Sequence, residues 1–332
     1  MASNPTRPTR DVTRDDVARL AGVSSAVVSY VVNNGPRPVA DATRRRVQEA
    51  IEKLGYRPNA AARVLTTGRP QLLSLIVPDL KNPYFSALAE AVEAAAKEQG
   101  LGLVLAQAQS EDLPELVESL SGRLVAGIIT ATLPTADIAQ ILVRNRVPMV
   151  KLSLALPLDP MPSIWPDYYG GTRAAVDHLI GVHGHRQLAL ITGSEQRDER
   201  ELAWHDSLRE AGLDTSHIIR TSWSAHGGFE AAGTLLAEHG GATAAFVTSD
   251  QQAIGVIAGL YHAGRSVPTD MALTSFDGSP DAEFTIPPLT TVNVPLADMA
   301  VDAVAEILGV ANHGRTYATS LVVRRSCGCG PA

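Results

Sequence analysis

Apolar residues recur along this chain with two different periods, and the change between them divides it. In the first part they fall three and four apart. Val17 and Ala21 form one stripe, Val28 and Val31 a second, and Val47, Ala50, Ile51 and Leu54 a third, the spacing of a helix face. Thr13 precedes the first stripe, with Asp15 and Asp16 in the opening turn, where a hydroxyl cap and negative charge suit the free N–H groups. Gly22 ends that helix and Ser24 caps the next; a third runs from Asp41 to Leu54. The first two cross over a glycine-containing turn, the pattern of a helix-turn-helix. A short fourth helix is expected from Pro58 and Asn59, stopping near Gly68 and Pro70, and alone it is marginal in water.

Beyond Pro70 short aliphatic runs alternate with amphipathic stretches. Strands are predicted at Leu72 to Val77, Leu101 to Ala106, Gly127 to Ala131, Pro148 to Ser153, Leu188 to Thr192, Ile218 to Ser222, Ala244 to Thr248 and Met271 to Phe276. Helices fall between them, at Pro83 to Gln99, Gly171 to Gly181, Asp198 to Ala211, Gly228 to His239, Gln251 to Ala263 and Leu296 to Leu308. Such alternation predicts an α/β fold of parallel sheets covered by helices on both faces. The length fits two lobes, whose crevice at the carboxyl ends of the strands is the expected ligand site.

Composition sharpens this picture. With 45% apolar residues the chain buries a real core, which excludes a disordered class. Its two cysteines, Cys327 and Cys329, lie too close together and too near the end to staple a fold, which excludes a disulfide scaffold. The N-terminus has no apolar run and no stretch approaches the length of a membrane span, so a cytoplasmic protein is expected. The net charge of -7 speaks against a nucleic-acid partner only as an average. Residues 1–69 hold 12 Lys and Arg against 6 Asp and Glu, whereas the other 263 hold 16 against 29. A basic head on an acidic body is expected when one module alone meets phosphate.

With its apolar positions inward, the second helix turns Ser25, Ala26, Val27, Ser29 and Tyr30 outward behind Ser24, near the end that enters a major groove. These side chains are small and none is Arg, so thymine methyls and a few hydroxyl hydrogen bonds are the expected readout. Arg14, Arg37, Arg44, Arg57 and the amides of Asn33 and Asn34 suit phosphate, which sets register without reading sequence.

These residues carry a family resemblance. Val12-Thr13, Asp16-Val17-Ala18, Ala21-Gly22-Val23-Ser24, Val28-Ser29, Asn33, Thr43-Arg44, Val47, Leu54-Gly55-Tyr56 and Pro58-Asn59 resemble the bacterial repressors of the lactose, galactose and purine type, the LacI/GalR family. The resemblance continues through Ile76-Val77-Pro78-Asp79, Asn82-Pro83-Tyr84-Phe85, His178-Leu179, Gly184-His185, Ser249-Asp250, Ala253-Ile254-Gly255, Phe276-Asp277 and Pro288 to Val292. It implies a head over residues 1–57, a hinge and linker over 58–69, and a core like the periplasmic sugar-binding proteins. The core's first lobe would comprise 70–168 and 295–319, and the second 169–294 and 320–332. It also implies that the segment of Asn59, Ala62, Arg63 and Leu65 is a hinge helix pairing with its twin in the minor groove, Leu65 being the wedge that unstacks a base step. A homodimer on a roughly palindromic duplex DNA operator follows, acting as a repressor.

By the same resemblance Asp79, Tyr84, Phe85, Arg200, Trp223, Asp250 and Asp277 hold a small effector. Carboxylates that accept from hydroxyls, a guanidinium fork and an indole face suit a sugar. The chain departs from the family at Tyr30, where many relatives carry Arg, in a longer Asn33 to Val39 loop, and at Ala203, where Gly is usual.

Other chemistry is not expected. Cys327-Gly-Cys329 has no His or Cys beside it in sequence, so no metal site is assigned. His183 and His185 read as a solvated turn. Gly170-Gly171 and Gly193 lack the spacing and lysine of a phosphate loop, and no nucleophile stands with a base, so neither cofactor nor enzymatic activity is assigned. The competing reading is a cytoplasmic sugar-binding or sugar-transforming protein whose helical head binds no DNA.

Overall fold

Thr13 opens the first helix in both directions. Its hydroxyl caps Asp16 N, and the Asp16 carboxylate accepts from Thr13 N at 3.0 Å, the reciprocal capping box. The computed structural model describes residues 12–32, 37–56, 70–121, 125–153, 161–193, 198–310 and 315–330. The chain divides into two units, Met1–Pro70 and Gln71–Ala332. In the first, α1 (Arg14–Ala21), α2 (Ser25–Val32) and α3 (Asp41–Leu54) close around Val17, Ala18, Ala21, Val28, Val31, Val47 and Ala50, the stripes read from the sequence. Ser24 accepts from Val27 N through both its hydroxyl and its carbonyl, as the cap of α2.

The second unit holds two six-stranded sheets. The first contains β1 (Leu72–Val77), β2 (Gly102–Gln107), β3 (Gly127–Thr130), β4 (Met149–Leu152), β5 (Ser163–Pro166) and β11 (Arg315–Tyr317), in the order β11-β5-β4-β3-β1-β2. The second contains β6 (Leu188–Thr192), β7 (Ile218–Arg220), β8 (Ala244–Val247), β9 (Ala272–Asp277), β10 (Thr290–Asn293) and β12 (Ser320–Val322), in the order β12-β10-β9-β8-β6-β7. Among the described residues every pairing is parallel except β10 with β12, so the sheets are parallel as expected, with one antiparallel strand at an edge. In each sheet the first strand in sequence lies between the second and the third. That is the topological switch at which a crevice opens beyond the strand ends.

Helices α4 (Pro83–Glu98), α5 (Leu113–Leu120), α6 (Ile138–Asn145) and α11 (Leu296–Ile307) cover the first sheet. Alternate residues of β1 face opposite ways. Leu73, Leu75 and Val77 pack with α4 and α11, and Ile76 packs with α5 and α6, as a strand buried on both faces requires. In the second sheet α7 (Tyr168–Gly181) and α8 (Glu199–Glu210) cover one face, and α9 (Ala225–Glu238) and α10 (Asp250–His262) the other. One apolar cluster runs through both lobes, from Leu73 and Leu88 to Phe276 and Leu190. No helix among the described residues is long and apolar enough to cross a membrane.

Candidate nucleic-acid interface and ligand cleft

The head meets solvent along α2. Ser24 and Ala26 are exposed, and Ser25, Val27, Ser29 and Tyr30 are half-buried, while Val28 and Val31 point inward. Ser24, Ser25, Ala26, Ser29 and Tyr30, the residues expected to read bases, therefore lie on the side of α2 away from its core. Arg14 and Arg37 are exposed and Arg44 half-buried. Asn33, Asn34, Arg57, Asn59, Ala62, Arg63 and Leu65 lie outside the described residues.

The cleft is organised by the start of α8. Asp198 caps this helix, its Oδ1 accepting from Arg200 N at 2.9 Å and Glu201 N at 3.1 Å. Its Oδ2 accepts from Arg200 Nε at 3.0 Å and Nη2 at 2.7 Å. One carboxylate thus satisfies a helix end and holds a guanidinium fork. Arg200 Nη1 donates to Thr248 O at 2.9 Å, tying α8 to the end of β8. The guanidinium carbon lies 4.8 Å from the Trp223 ring, 4.9 Å from Tyr168 and 5.8 Å from Phe276, so aromatic rings replace water around the cation. Burial works against its charge, but Asp198 beside it keeps it protonated. Although burial also opposes charge on Asp198, the Arg200 guanidinium holds that carboxyl below its ordinary range.

Trp223 reaches this position because Gly193 has no side chain. A Cβ at Gly193 would stand 2.3 Å from the indole ring, so the ring lies against bare backbone just after β6. Across the cleft, Tyr84 in the first turn of α4 shares a hydrogen bond of 2.5 Å with Ser153 Oγ. The Tyr168 hydroxyl donates to Ser153 O at 2.8 Å. Burial raises both phenols, Tyr84 well above its ordinary value, so both stay protonated at neutral pH. Phe85 meets Tyr84 edge to face at 5.3 Å.

Two of the three non-glycine residues with positive φ among the described residues stand here, Ser153 at 64° and Asp277 at 119°. Local strain of this kind is held in place by surrounding structure and collects at binding sites. The Asp277 carboxyl is pushed well above the usual carboxylate range, first by burial and then by the charge of Asp250, with Arg200 opposing.

The structure brings Tyr84, Arg200, Trp223 and Asp277 into one constellation, with Phe85 behind Tyr84. Two expected ligands take other places. Asp250 is fully buried, its Oδ1 accepting from Ser275 Oγ at 2.5 Å and Thr291 Oγ1 at 2.6 Å and its Oδ2 from Ser279 N at 2.7 Å. It braces the loop after β9, and its backbone N donates to Asp277 Oδ2 at 3.3 Å. Asp79 turns back on its own loop to accept from Lys81 N at 2.9 Å. Sequence reasoning passed over Tyr168, Phe276 and Asp198 as site residues. The signal for Tyr168 was its place at a strand-to-helix turn, two residues before Gly170-Gly171.

The tail departs from expectation as well. His183 Nε2 lies 3.4 Å from Cys329 Sγ and 3.3 Å from His178 Nε2, so His183 is not a solvated turn residue. His185 Nδ1 pairs with Thr243 Oγ1 at 2.9 Å.

Residues 13–59 match the bacterial regulatory proteins of the lacI family, and residues 176–327 match the periplasmic binding protein-like domain. The chain is 34% identical to catabolite control protein A of Priestia megaterium, over 88% of this chain and 90% of that protein. It superposes with a TM-score of 0.83 on the lac repressor dimer bound to operator and the anti-inducer ONPF, at 29% identity, covering 96% of this chain and 99% of that one. The complex of the transcriptional regulator CelR with cellobiose aligns at a TM-score of 0.69 and 30% identity, covering 95% and 99%.

Proposed function

The chain belongs to the lacI family of bacterial regulatory proteins, and from that premise we propose that it is a cytoplasmic, dimeric transcription repressor whose hold on operator DNA is set by a sugar. The observation that carries the sugar is the Arg200 guanidinium, fixed by Asp198 and surrounded by Tyr168, Trp223 and Phe276. Three of its five N–H groups are spent on Asp198 and Thr248. The remaining two suit the oxygens of a polyol, with Trp223 offering a ring face to the pyranose and Asp277 a carboxyl. The CelR complex holds cellobiose, which supports a ligand of the same chemical class for this chain.

The head acts on duplex DNA. Ser24, Ser25, Ala26, Ser29 and Tyr30 read base edges, while Arg14, Arg37, Arg44, Arg57 and Asn33 hold phosphate. The segment carrying Asn59, Ala62, Arg63 and Leu65 works in the minor groove, where a leucine wedge bends the duplex. Sugar bound between the lobes favours one lobe arrangement over another, and a marginal hinge transmits small differences in spacing as a population shift.

The test measures duplex binding by fluorescence anisotropy across a salt series, with and without members of a sugar panel. Affinity is expected to fall steeply and linearly in log salt, because each neutralised phosphate releases counterions, and one sugar is expected to move the whole line. A flat salt response would remove the nucleic-acid role of the head. A salt-dependent line that no sugar displaces would remove the effector assignment.

A further inference from the structure

The four side chains that meet at the tail come from two distant parts of the sequence. His178 lies in the last turn of α7 and His183 in the turn that follows, whereas Cys327 and Cys329 follow β12. Their ligand atoms all lie within 4.8 Å of one another. Cys329 Sγ is 3.5 Å from His178 Nε2 and 3.4 Å from His183 Nε2, and the two nitrogens are 3.3 Å apart. Each Nε2 has a single hydrogen or a single lone pair on its ring axis, so hydrogen bonds cannot serve all three edges of this triangle. A cation among the atoms serves them together. Tetrahedral zinc, with Zn–S of about 2.3 Å and Zn–N of about 2.0–2.1 Å, places two nitrogens about 3.3 Å apart and a sulfur and nitrogen about 3.6 Å apart.

We propose that His178, His183, Cys327 and Cys329 form a structural site for one zinc ion that clasps the tail to the end of α7. Two thiolates and two imidazoles are a borderline-soft, four-coordinate donor set, which zinc prefers over hard cations. The surroundings support the two cysteines. Gly328 adopts φ of 106°, and a Cβ there would stand 3.3 Å from the His183 ring, so only glycine gives both cysteines their approach. Thr290 Oγ1 donates to Cys327 Sγ at 3.2 Å and itself accepts from Arg324 N at 2.8 Å, a hydrogen-bonded support of the kind that orients metal ligands. Ser326, next in the chain, is anchored between Leu273 O at 2.7 Å and Thr290 N at 2.8 Å, which fixes the buried Cys327. Cys329 lines an open cavity of about 780 Å³ with Tyr261, Arg265 and Pro268, an entry path for the ion. Binding replaces both S–H bonds by S–Zn bonds and releases two protons to solvent, including the one that Cys327 donates to Arg324 O. The site lies roughly 15 Å along α7 from Tyr168, so it bears on the helix that begins in the cleft without entering the cleft.

The full chain, purified without chelator and desalted, is expected to carry equimolar zinc by mass spectrometry. Cobalt exchanged into it is expected to show thiolate-to-cobalt charge transfer and the intense visible bands of a tetrahedral site. Cys329→Ser and His183→Gln change half-exposed positions and are expected to keep the circular dichroism of the parent while losing more than about tenfold in zinc affinity, since even removing a supporting hydrogen bond costs 10–100-fold. Zinc far below equimolar in the parent when zinc is supplied in excess would overturn the site. So would equal zinc affinity in folded Cys329→Ser and His183→Gln chains, or a cobalt complex without sulfur charge transfer. Cys327→Ser is informative only alongside these two, because Cys327 is fully buried.

Discussion

The proposed function has the head and the cleft both meet a partner through arginine, and the two hold that side chain in opposite ways. Arg14 and Arg37 stand exposed on a unit with an excess of positive charge. Arg200 is fixed by one carboxylate and surrounded by three rings. The first arrangement acts at long range, adds over many residues and is screened by salt. The second acts at contact, is scarcely screened, and depends on every member. In the proposed function the same side chain therefore contributes to affinity collectively in one place and decisively in the other.

Arg200→Ala is the strongest way to break this contrast. It leaves Asp198 without the cation that holds it and should destabilise the core by on the order of 1.5–3 kcal/mol, with loss of any sugar-induced rise in melting temperature. Core melting with and without sugar checks it; an Arg200→Ala core that melts like the parent and still responds would place the two arginine sites in one class.

Asp277→Asn is expected to have a smaller and pH-dependent effect. The folded carboxyl is held above its unfolded value, chiefly by burial. Its contribution to stability is therefore complete below the unfolded value of about 3.9 and is lost as pH rises through the folded one. The amide lacks this loss and tolerates positive φ. The variant should melt higher than the parent at neutral pH, by a margin that shrinks to nothing in acid, while binding sugar more weakly. Melting curves of both chains between acid and neutral pH test the sign, and a margin that grows toward acid contradicts it.

The smallest effect expected is in the head. Thr13→Ala removes the capping box and should cost about 1 kcal/mol, or roughly 4–8 °C in the melting of a unit of this size. The core transition should not move. Calorimetry of the full chain separates the two, and a shift of both would show that the units do not melt independently.

What the sequence disclosed depended on how local the cause was. The helices of the head were legible because Thr13, Gly22 and Ser24 act within a few residues of themselves. Eight strands were legible as aliphatic runs. The others were not, because β5, β11 and β12 carry Pro, Ser and Arg, and β10 buries Thr290 and Thr291 whose hydroxyls meet Cys327 and Asp250. The same limit applies to the site. Asp250 is chemically suited to a sugar hydroxyl, yet hydroxyls of β9 and β10 already occupy its carboxylate. Arg200 and Trp223 were legible as residue types, but Gly193, which lets the indole lie down, showed no such role in the sequence. The histidines beside Cys329 stand 146 and 151 residues away from it, and no local pattern brings them together.

The core of the head is made of small side chains. Among the described residues its buried side chains are valines and alanines alone, with Ile51, Leu54 and Tyr56 only half-buried around them. A centre so light in carbon leaves little margin against chain entropy, whereas the larger unit shares one cluster across both lobes. Warming should therefore separate the two capacities in order. Above the lower transition a cell would contain a protein that still senses its effector and has nothing left with which to find its gene.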